Sequence, residues 1–238
     1  MTDPQQRALD HLSHLTETGR KGDDPASQCL YDVGGAENGI QLFQMGVTDT
    51  DMRHFTQLPE WQYISLRECP VSDAGLKHLA NQKSLRSLDI GETDITTIHS
   101  IRGCVHLRQL WCDRLEKMTD RKAGALANFP ELWFLDLAYT NTGDATAEHL
   151  GTLAGLKKLN LLGTKISDEG LRSIGTLPKL EMLSLFRTAI TDEGLRHLYG
   201  LRELRLLTVG ETQVTKKGRA AFQRVCPNLK VVDHAGIN

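Results

Sequence analysis

Four kinds of residue in this sequence could carry chemistry. Asp113 and Asp136 are the acids that could be paired for general acid/base work, as in a glycosidase. Such a pair needs a pocket that keeps one carboxyl protonated, and the open strand surface on which both fall does not offer one. Cys29, Cys69, Cys104, Cys112 and Cys226 could supply thiolates, yet they are an odd set of five with no CxxC pair, which argues against both a disulfide framework and a zinc site. His54, His78, His149 and His197 recur in the contexts RHF, LKHL, AEHL and LRHL, but they lie 24, 71 and 48 residues apart and cannot stack into a metal column. No GxxxxGK[ST], GxSxG or HExxH motif occurs. The expectation is a protein without catalytic residues, metal or cofactor. The fourth kind is aromatic and aliphatic bulk beside arginine: Trp111, Phe134, Tyr139, Leu162, Met182 and Phe186 with Arg114 and Arg187. That is the make-up of a binding hot spot.

The elements that must position these side chains are legible in the stretch from Leu156 to Glu203. It reads LKKLNLLGTKISDEGLRSIGTLPK and then LEMLSLFRTAITDEGLRHLYGLRE, two copies of 24 residues. The copies share Leu156/Leu180, Leu159/Leu183, Leu161/Leu185, Thr164/Thr188, Ile166/Ile190 and an Asp-Glu-Gly-Leu run from Asp168 and Asp192. Self-similarity at a period in the 20s marks a solenoid of stacked supersecondary units. In each copy the last two leucines of LxxLxL alternate with variable residues, so one face of a short strand points inward. The threonine turns the chain and can satisfy backbone groups that the strand no longer pairs. Ser167 or Thr191 then caps a helix whose first turn carries acids suited to the helix dipole. Gly170 and Gly194 are expected to let that helix approach the sheet, and Leu171/Ile174 and Leu195/Leu198 bury one stripe of it.

The pattern LxxLxLxxTxITDEGLxxL resembles the leucine-rich repeat family, close to its ribonuclease-inhibitor-like and cysteine-containing branches and to bacterial proteins with Thr at the ladder position. The likeness spans about residues 37 to 234. It implies an α/β right-handed solenoid, a horseshoe with a parallel β-sheet on the concave face and short helices on the convex face. It also implies a binding role, without naming the partner.

Along the chain, Asp3-Pro4 opens a helix with Leu9, Leu12 and Leu15 on one stripe, expected to cap the first repeat, and the segment to residue 36 continues as loop. Residues 37–238 form the solenoid of about eight repeats and a terminal strand. A degenerate first repeat (Ile40, Leu42, Met45, Val47) is followed by repeats starting at Trp61, Leu85, Leu107, Leu132, Leu156, Leu180 and Leu204, and by the strand at Leu229. The intervals are 24, 22, 25, 24, 24, 24 and 25. Repeat three loses two residues and the Asp-Glu-Gly start of its helix, so a short irregular turn is expected there; repeat four gains one residue, with Leu115 in place of the ladder threonine. Cys112 takes the slot of Leu161, Cys104 and Cys226 that of Leu177, and Cys69 that of Thr164, which makes all four small buried hydrophobes.

Composition narrows the partners. Lys plus Arg total 28 against 30 Asp plus Glu, which leaves no basic field for nucleic acid. No apolar run nears the ~20 residues that span a bilayer, and MTDPQQRALDHL lacks the features of a signal peptide, so a cytoplasmic protein without membrane contact is expected. A monomer is expected too.

Positions three, five and seven of LxxLxLxx should face the concave side, with the eighth at its rim. Repeats two and three present mostly polar residues there: Tyr63, Ser65, Arg67, then Ser87, Asp89, Gly91. Repeats four to seven present the six large side chains named above, expected to form one exposed apolar patch of several hundred Å². Asp89, Asp113 and Asp136 flank it, with Arg108, Lys157 and Arg205 near enough for a cross-strand charge lattice. The expected function is a non-enzymatic scaffold binding a protein or peptide. The alternative is a substrate-recognition subunit or effector acting with a separate enzymatic or adapter chain, as in ubiquitin-type ligation.

Overall fold

The structure is a computed structural model that describes residues 39–57, 61–227 and 229–233. The capping helix expected over Asp3 to Thr18, Cys29 and His234 lie outside these residues.

Each repeat places its leucines at positions four and six, and those side chains fill the interior. Leu88 and Ile90, Leu110 and Cys112, Leu135 and Leu137, Leu159 and Leu161, and Leu183 and Leu185 are all buried in one continuous core. Burying a side chain of this size contributes roughly 1.5–3 kcal/mol, repeated at every layer of the stack. Between and beside the leucines run nine three-residue strands among the described residues: β1 (Gly39–Gln41), β2 (Tyr63–Ser65), β3 (Ser87–Asp89), β4 (Gln109–Trp111), β5 (Phe134–Asp136), β6 (Lys158–Asn160), β7 (Met182–Ser184), β8 (Leu206–Thr208) and β9 (Lys230–Val232). They form one parallel sheet in chain order, so each repeat pairs only with its neighbours. This is the solenoid that the leucine spacing predicts, with the parallel sheet and right-handed course that the family resemblance implies.

The sheet turns to its convex side through the ladder threonines. The hydroxyls of Thr140, Thr164, Thr188 and Thr212 donate to the carbonyls of Leu137, Leu161, Leu185 and Val209 at 2.6–2.8 Å. The convex side carries α1 (Asp49–Met52), α2 (Asp73–Leu76), α3 (Asp120–Ala123), α4 (Asp144–Leu150), α5 (Asp168–Ile174), α6 (Asp192–Leu195) and α7 (Lys216–Val225), several continued by a 3-10 turn. Ser167 and Thr191 accept from the N–H of Glu169 and Glu193, as N-caps do. Repeat three has only a 3-10 turn, His99–Ile101, in keeping with its lost helix start. No helix among the described residues is long and apolar enough to cross a membrane.

Three sequence readings are corrected here. The final strand does not follow the 25-residue leucine interval, because β9 takes its register from the ladder of β8, pairing Leu206 with Lys230 and Leu207 with Val231. Lys230 therefore stands at the third position, on the open face. The second correction concerns Gly170 and Gly194, whose space is not taken by the sheet. A Cβ on Gly194 would lie 2.0 Å from Asp168 Oδ1, and one on Gly170 would lie 2.5 Å from Asp144 Oδ1. Those aspartates are the third correction. Besides sitting in the first turn of their own helices, they reach into the next repeat. Asp168 accepts from the N–H and hydroxyl of Thr191 at 2.8 and 2.6 Å, and Asp192 accepts in the same way from Thr215. The same bracket joins Asp49 to Ser72 and Asp144 to Ser167.

Candidate partner-binding face

Strand register fixes which side chains share the open face of the sheet. Column three runs Tyr63, Ser87, Gln109, Phe134, Lys158, Met182, Leu206; column five runs Ser65, Asp89, Trp111, Asp136, Asn160, Ser184, Thr208. Column seven continues beyond the strands as Arg67, Gly91, Asp113, Ala138, Leu162, Phe186 and Gly210. All six large residues singled out from sequence lie on this side or at its rim, outside the main core.

They do not form one exposed patch. Trp111 stacks on Phe134 at 4.7 Å between ring centroids, and Trp133 meets Phe134 edge-on at 6.1 Å. Separately, Ala138, Leu162 and Phe186 pack into a second cluster with Tyr139 against it. Between the two runs the polar end of column five. Asn160 donates to Asp136 at 3.0 Å, and the hydroxyls of Ser184 and Thr208 bond to each other at 2.8 Å. Lateral packing covers much of this bulk: Trp111 keeps 7% of its surface accessible, and Leu162 and Phe186 keep 8% each. Phe134, Tyr139, Met182 and Leu206 stay partly accessible. The physical reason is that large side chains 4.8 Å apart on adjacent strands bury one another before any partner arrives.

The rim, position eight, is built on left-handed backbone. Gln44, Glu68, Glu92, Arg114, Tyr139, Arg187 and Glu211 have φ between 52° and 58°, and Gly163 has 66°. For residues other than glycine this conformation costs roughly 1–2 kcal/mol. From Gln44 to Arg187 it is held because the N–H reaches the next repeat: Arg114 donates to the Ala138 carbonyl at 2.7 Å, Tyr139 to Leu162 at 2.8 Å and Arg187 to Gly210 at 3.0 Å. The resulting ladder orients the side chains along the stack. The Arg114 guanidinium lies 4.9 Å from the Tyr139 ring centroid, Tyr139 covers Gly163, and Arg187 bonds to Tyr139 and Glu211. Arg114 and Arg187 are thus both gathered around Tyr139. The only sequence sign of this geometry is the glycine at position 163.

The acids behave differently from the lattice expected. Arg108 pairs with Glu131 and Lys157 with Glu181, each at 3.0 Å, along the outer edge. Two of the three face acids, Asp89 and Asp113, answer instead to Arg67, whose pairing sequence reasoning passed over. Its guanidinium grips both oxygens of Asp113, one at 2.8 Å, and also reaches Glu92 at 2.8 Å and Asp89 at 3.5 Å. Gly91 makes room, since a Cβ there would lie 2.4 Å from the guanidinium. The signal was available as a large-small-large series, Arg67, Gly91, Asp113, at one position of three successive repeats.

Asp136 makes no ion pair among the described residues, and Arg67 acts on it only weakly. Burial of its carboxyl, first, and the negative charge of Asp113, second, push it up to about 7, against the bonds from the Ala138 N–H and the Asn160 amide that favour its ionised form. The open-surface argument against a perturbed acid is therefore wrong at this position. The dyad reading gains nothing from it, because Asp113 is held in a two-pronged bond by Arg67. The thiols are inert by burial, which lifts Cys104 to about 11 and Cys112 well above the ordinary range. Cys69 and Cys104 are buried as the slot reading predicts, while Cys226 is only partly so. The four histidines are half-buried on the convex side, and no cluster of metal-ligating residues occurs among the described residues.

A leucine-rich repeat profile matches residues 156–175, within the stretch where the period is clearest. The structure is similar to internalin C2 of Listeria monocytogenes str. 4b F2365, with a TM-score of 0.67 and 20% identity over 82% of this chain and 80% of that one. It is also similar to the plant peptide hormone receptor RGFR1, solved in complex with RGF2, with a TM-score of 0.52 and 16% identity over 76% of this chain but 29% of the receptor. At these identities the likeness is one of fold. No curated protein sequence matches the chain. A matched repeat profile, one parallel strand per 22 to 25 residues and an interior built from positions four and six give this chain the leucine-rich-repeat fold.

Proposed function

We propose that this protein is a non-enzymatic recognition scaffold that binds a protein or peptide partner on the concave face of its sheet. The observation that supports it is an uncovered sheet. Parallel sheets are ordinarily buried on both sides, yet here helices cover one side while the other leaves Phe134, Tyr139, Met182 and Leu206 partly accessible beside Arg114 and Arg187. Aromatic and methionine surface next to arginine is what protein partners anchor on. A solved array of the same fold is a peptide hormone receptor, which fits this reading. A cytoplasmic monomer is part of the same proposal.

The test is affinity capture from the native cell with mass spectrometry, run in parallel on the parent, on Y139S/R187E, and on E169K/R172E as a convex-side control. A partner retained by the parent and the control but lost from Y139S/R187E supports the concave face. Equal capture by all three overturns it. Trp111, Leu162 and Phe186 are poor probes for this purpose, since their truncation lowers stability as well.

A further inference from the structure

The convex side is interrupted where repeat four meets repeat three. With only the 3-10 turn His99–Ile101 in place of a helix, repeat three leaves a hollow of about 670 Å³ against α3 and the turn after it. Its walls carry Thr97, His99, Thr119, Arg121, Lys122 and Asn128, over a floor that includes Ala125. We propose that this groove binds an acidic segment of a partner protein, its carboxylates meeting Arg121 and Lys122.

Charge complementarity carries the choice of occupant. None of the lining residues is acidic, and neither Arg121 nor Lys122 has an ion pair among the described residues. Two carboxylates on the flanking elements keep their charge but do not line the hollow: Asp73 accepts from the N–H and hydroxyl of Thr96 and the N–H of Thr97, and Asp120 accepts from Gly143 and Thr146. The His99 ring accepts from Arg102, which adds a third cation beside the wall. The size and the alanine floor suit a turn of polypeptide rather than a lone oxyanion. The site lies on the opposite side of the stack from the concave face, so it stands or falls separately from the function proposed above.

The experiment uses the full chain, labelled with 15N, titrated with a capped peptide of glutamate and alanine, with its lysine counterpart, and with inorganic phosphate alone. The expected result is movement of the Thr97, Thr119, Arg121 and Asn128 amides with the glutamate peptide and not with the lysine peptide. Affinity should weaken at high salt and fall by about tenfold or more in R121E/K122E. R121A/K122A replaces the reversal variant if that one loses its fold. Absence of these shifts, equal response to the lysine peptide, or unchanged affinity in the charge variant overturns the proposal. Phosphate shifting the same amides while the glutamate peptide does not would overturn it in favour of a small-anion site.

Discussion

Where repeat seven stacks on repeat six, Asp168 spans the junction to the N–H and hydroxyl of Thr191, and Gly194 stands clear of the carboxylate. Where repeat four stacks on repeat three, Thr97 occupies the aspartate's place and Lys122 the glycine's. The Thr97 hydroxyl donates instead to the Lys122 carbonyl at 3.2 Å, and the Thr119 side chain makes no cap bond. The contrast shows that aspartate and glycine are one device divided between consecutive repeats. Glycine is one way to admit the carboxylate: in repeat five the same slot holds Thr146, which instead donates its N–H and hydroxyl to Asp120 of the preceding repeat. Gly75, Gly170, Gly194 and Gly218 all face such a carboxylate, from Asp49, Asp144, Asp168 and Asp192. The convex layer is therefore held by a polar bracket as well as by the leucine stripe, and the junction without the bracket is the one that opens into a groove.

The most severe way to break the regular junction is Gly194→Ala. The added methyl would lie 2.0 Å from Asp168 Oδ1, which can turn away only by giving up its bonds to Thr191, so either the bracket or the stacking must give way. Overpacking together with loss of hydrogen bonds to a charged group should cost about 3 kcal/mol or more. Urea denaturation should show it as a lower midpoint. Asp168→Ala combined with Gly194→Ala should cost less than the sum of the two single changes, since the first makes the room that the second needs. Additive costs would mean that the glycine serves something other than the carboxylate.

On the sheet face the comparison is between bulk that packs laterally and bulk in the interior. Trp111→Ala should lower stability by about 2–3 kcal/mol, because the residue is nearly buried against Phe134 even though it lies outside the leucine core. A melting temperature equal to the parent's would return Trp111 to the exposed patch expected from the sequence.

Why the sequence conveyed the fold and misjudged parts of the site follows from what repeats encode. Leucines at positions four and six recur because every layer has the same interior, so their spacing reads directly as a solenoid. Concave residues such as Trp111 and Phe186 vary from layer to layer, and whether they are exposed depends on what the adjacent layer puts beside them. Phe186 has Leu162 on one side and Gly210 on the other, and a Cβ on Gly210 would come within 2.7 Å of its ring. The Arg67 pairing was easy to miss for a similar reason: its main partner, Asp113, is two repeats away, so the large-small-large series shows only when three successive repeats are compared at one position, across the gap left by Gly91. The left-handed rim leaves almost no compositional trace, because hydrogen bonds to the next repeat hold Arg114 and Tyr139 there against their own preference.

Carboxylates with and without an ion-pair partner should also differ in their response to pH. Asp136 is pushed up to about 7, whereas an unfolded aspartate titrates near 4, so the folded protein binds more protons than the unfolded chain between those values. Its contribution to stability is full below about pH 4, declines as the pH rises through about 7, and is flat above that. Asp136→Asn removes the charge and should make the variant more stable than the parent by on the order of 1 kcal/mol at about pH 8, with the advantage vanishing toward about pH 4. Denaturation at both ends of that window checks it. A variant less stable than the parent at high pH would mean that the ionised carboxylate is compensated after all.

The smallest expected effect falls on the irregular junction itself. Lys122 stands in the slot that Gly170 and Gly194 fill in the regular repeats, but Thr97 sends no carboxylate toward it. Its side chain makes no ion pair among the described residues, and alanine is at least as good a helix former as lysine. Lys122→Ala should therefore change stability by less than about 0.5 kcal/mol, the range of ordinary surface substitutions. Set against Gly194→Ala at the equivalent position, this is a difference of several kcal/mol for the same residue in the same slot. It points to the aspartate of the preceding repeat as the cause, because helix position and the introduced side chain are matched, although Gly194 is buried and Lys122 half-buried. A cost at Lys122 approaching that at Gly194 would show that the slot is crowded by the stack itself, and the shared aspartate–glycine device would have to be abandoned.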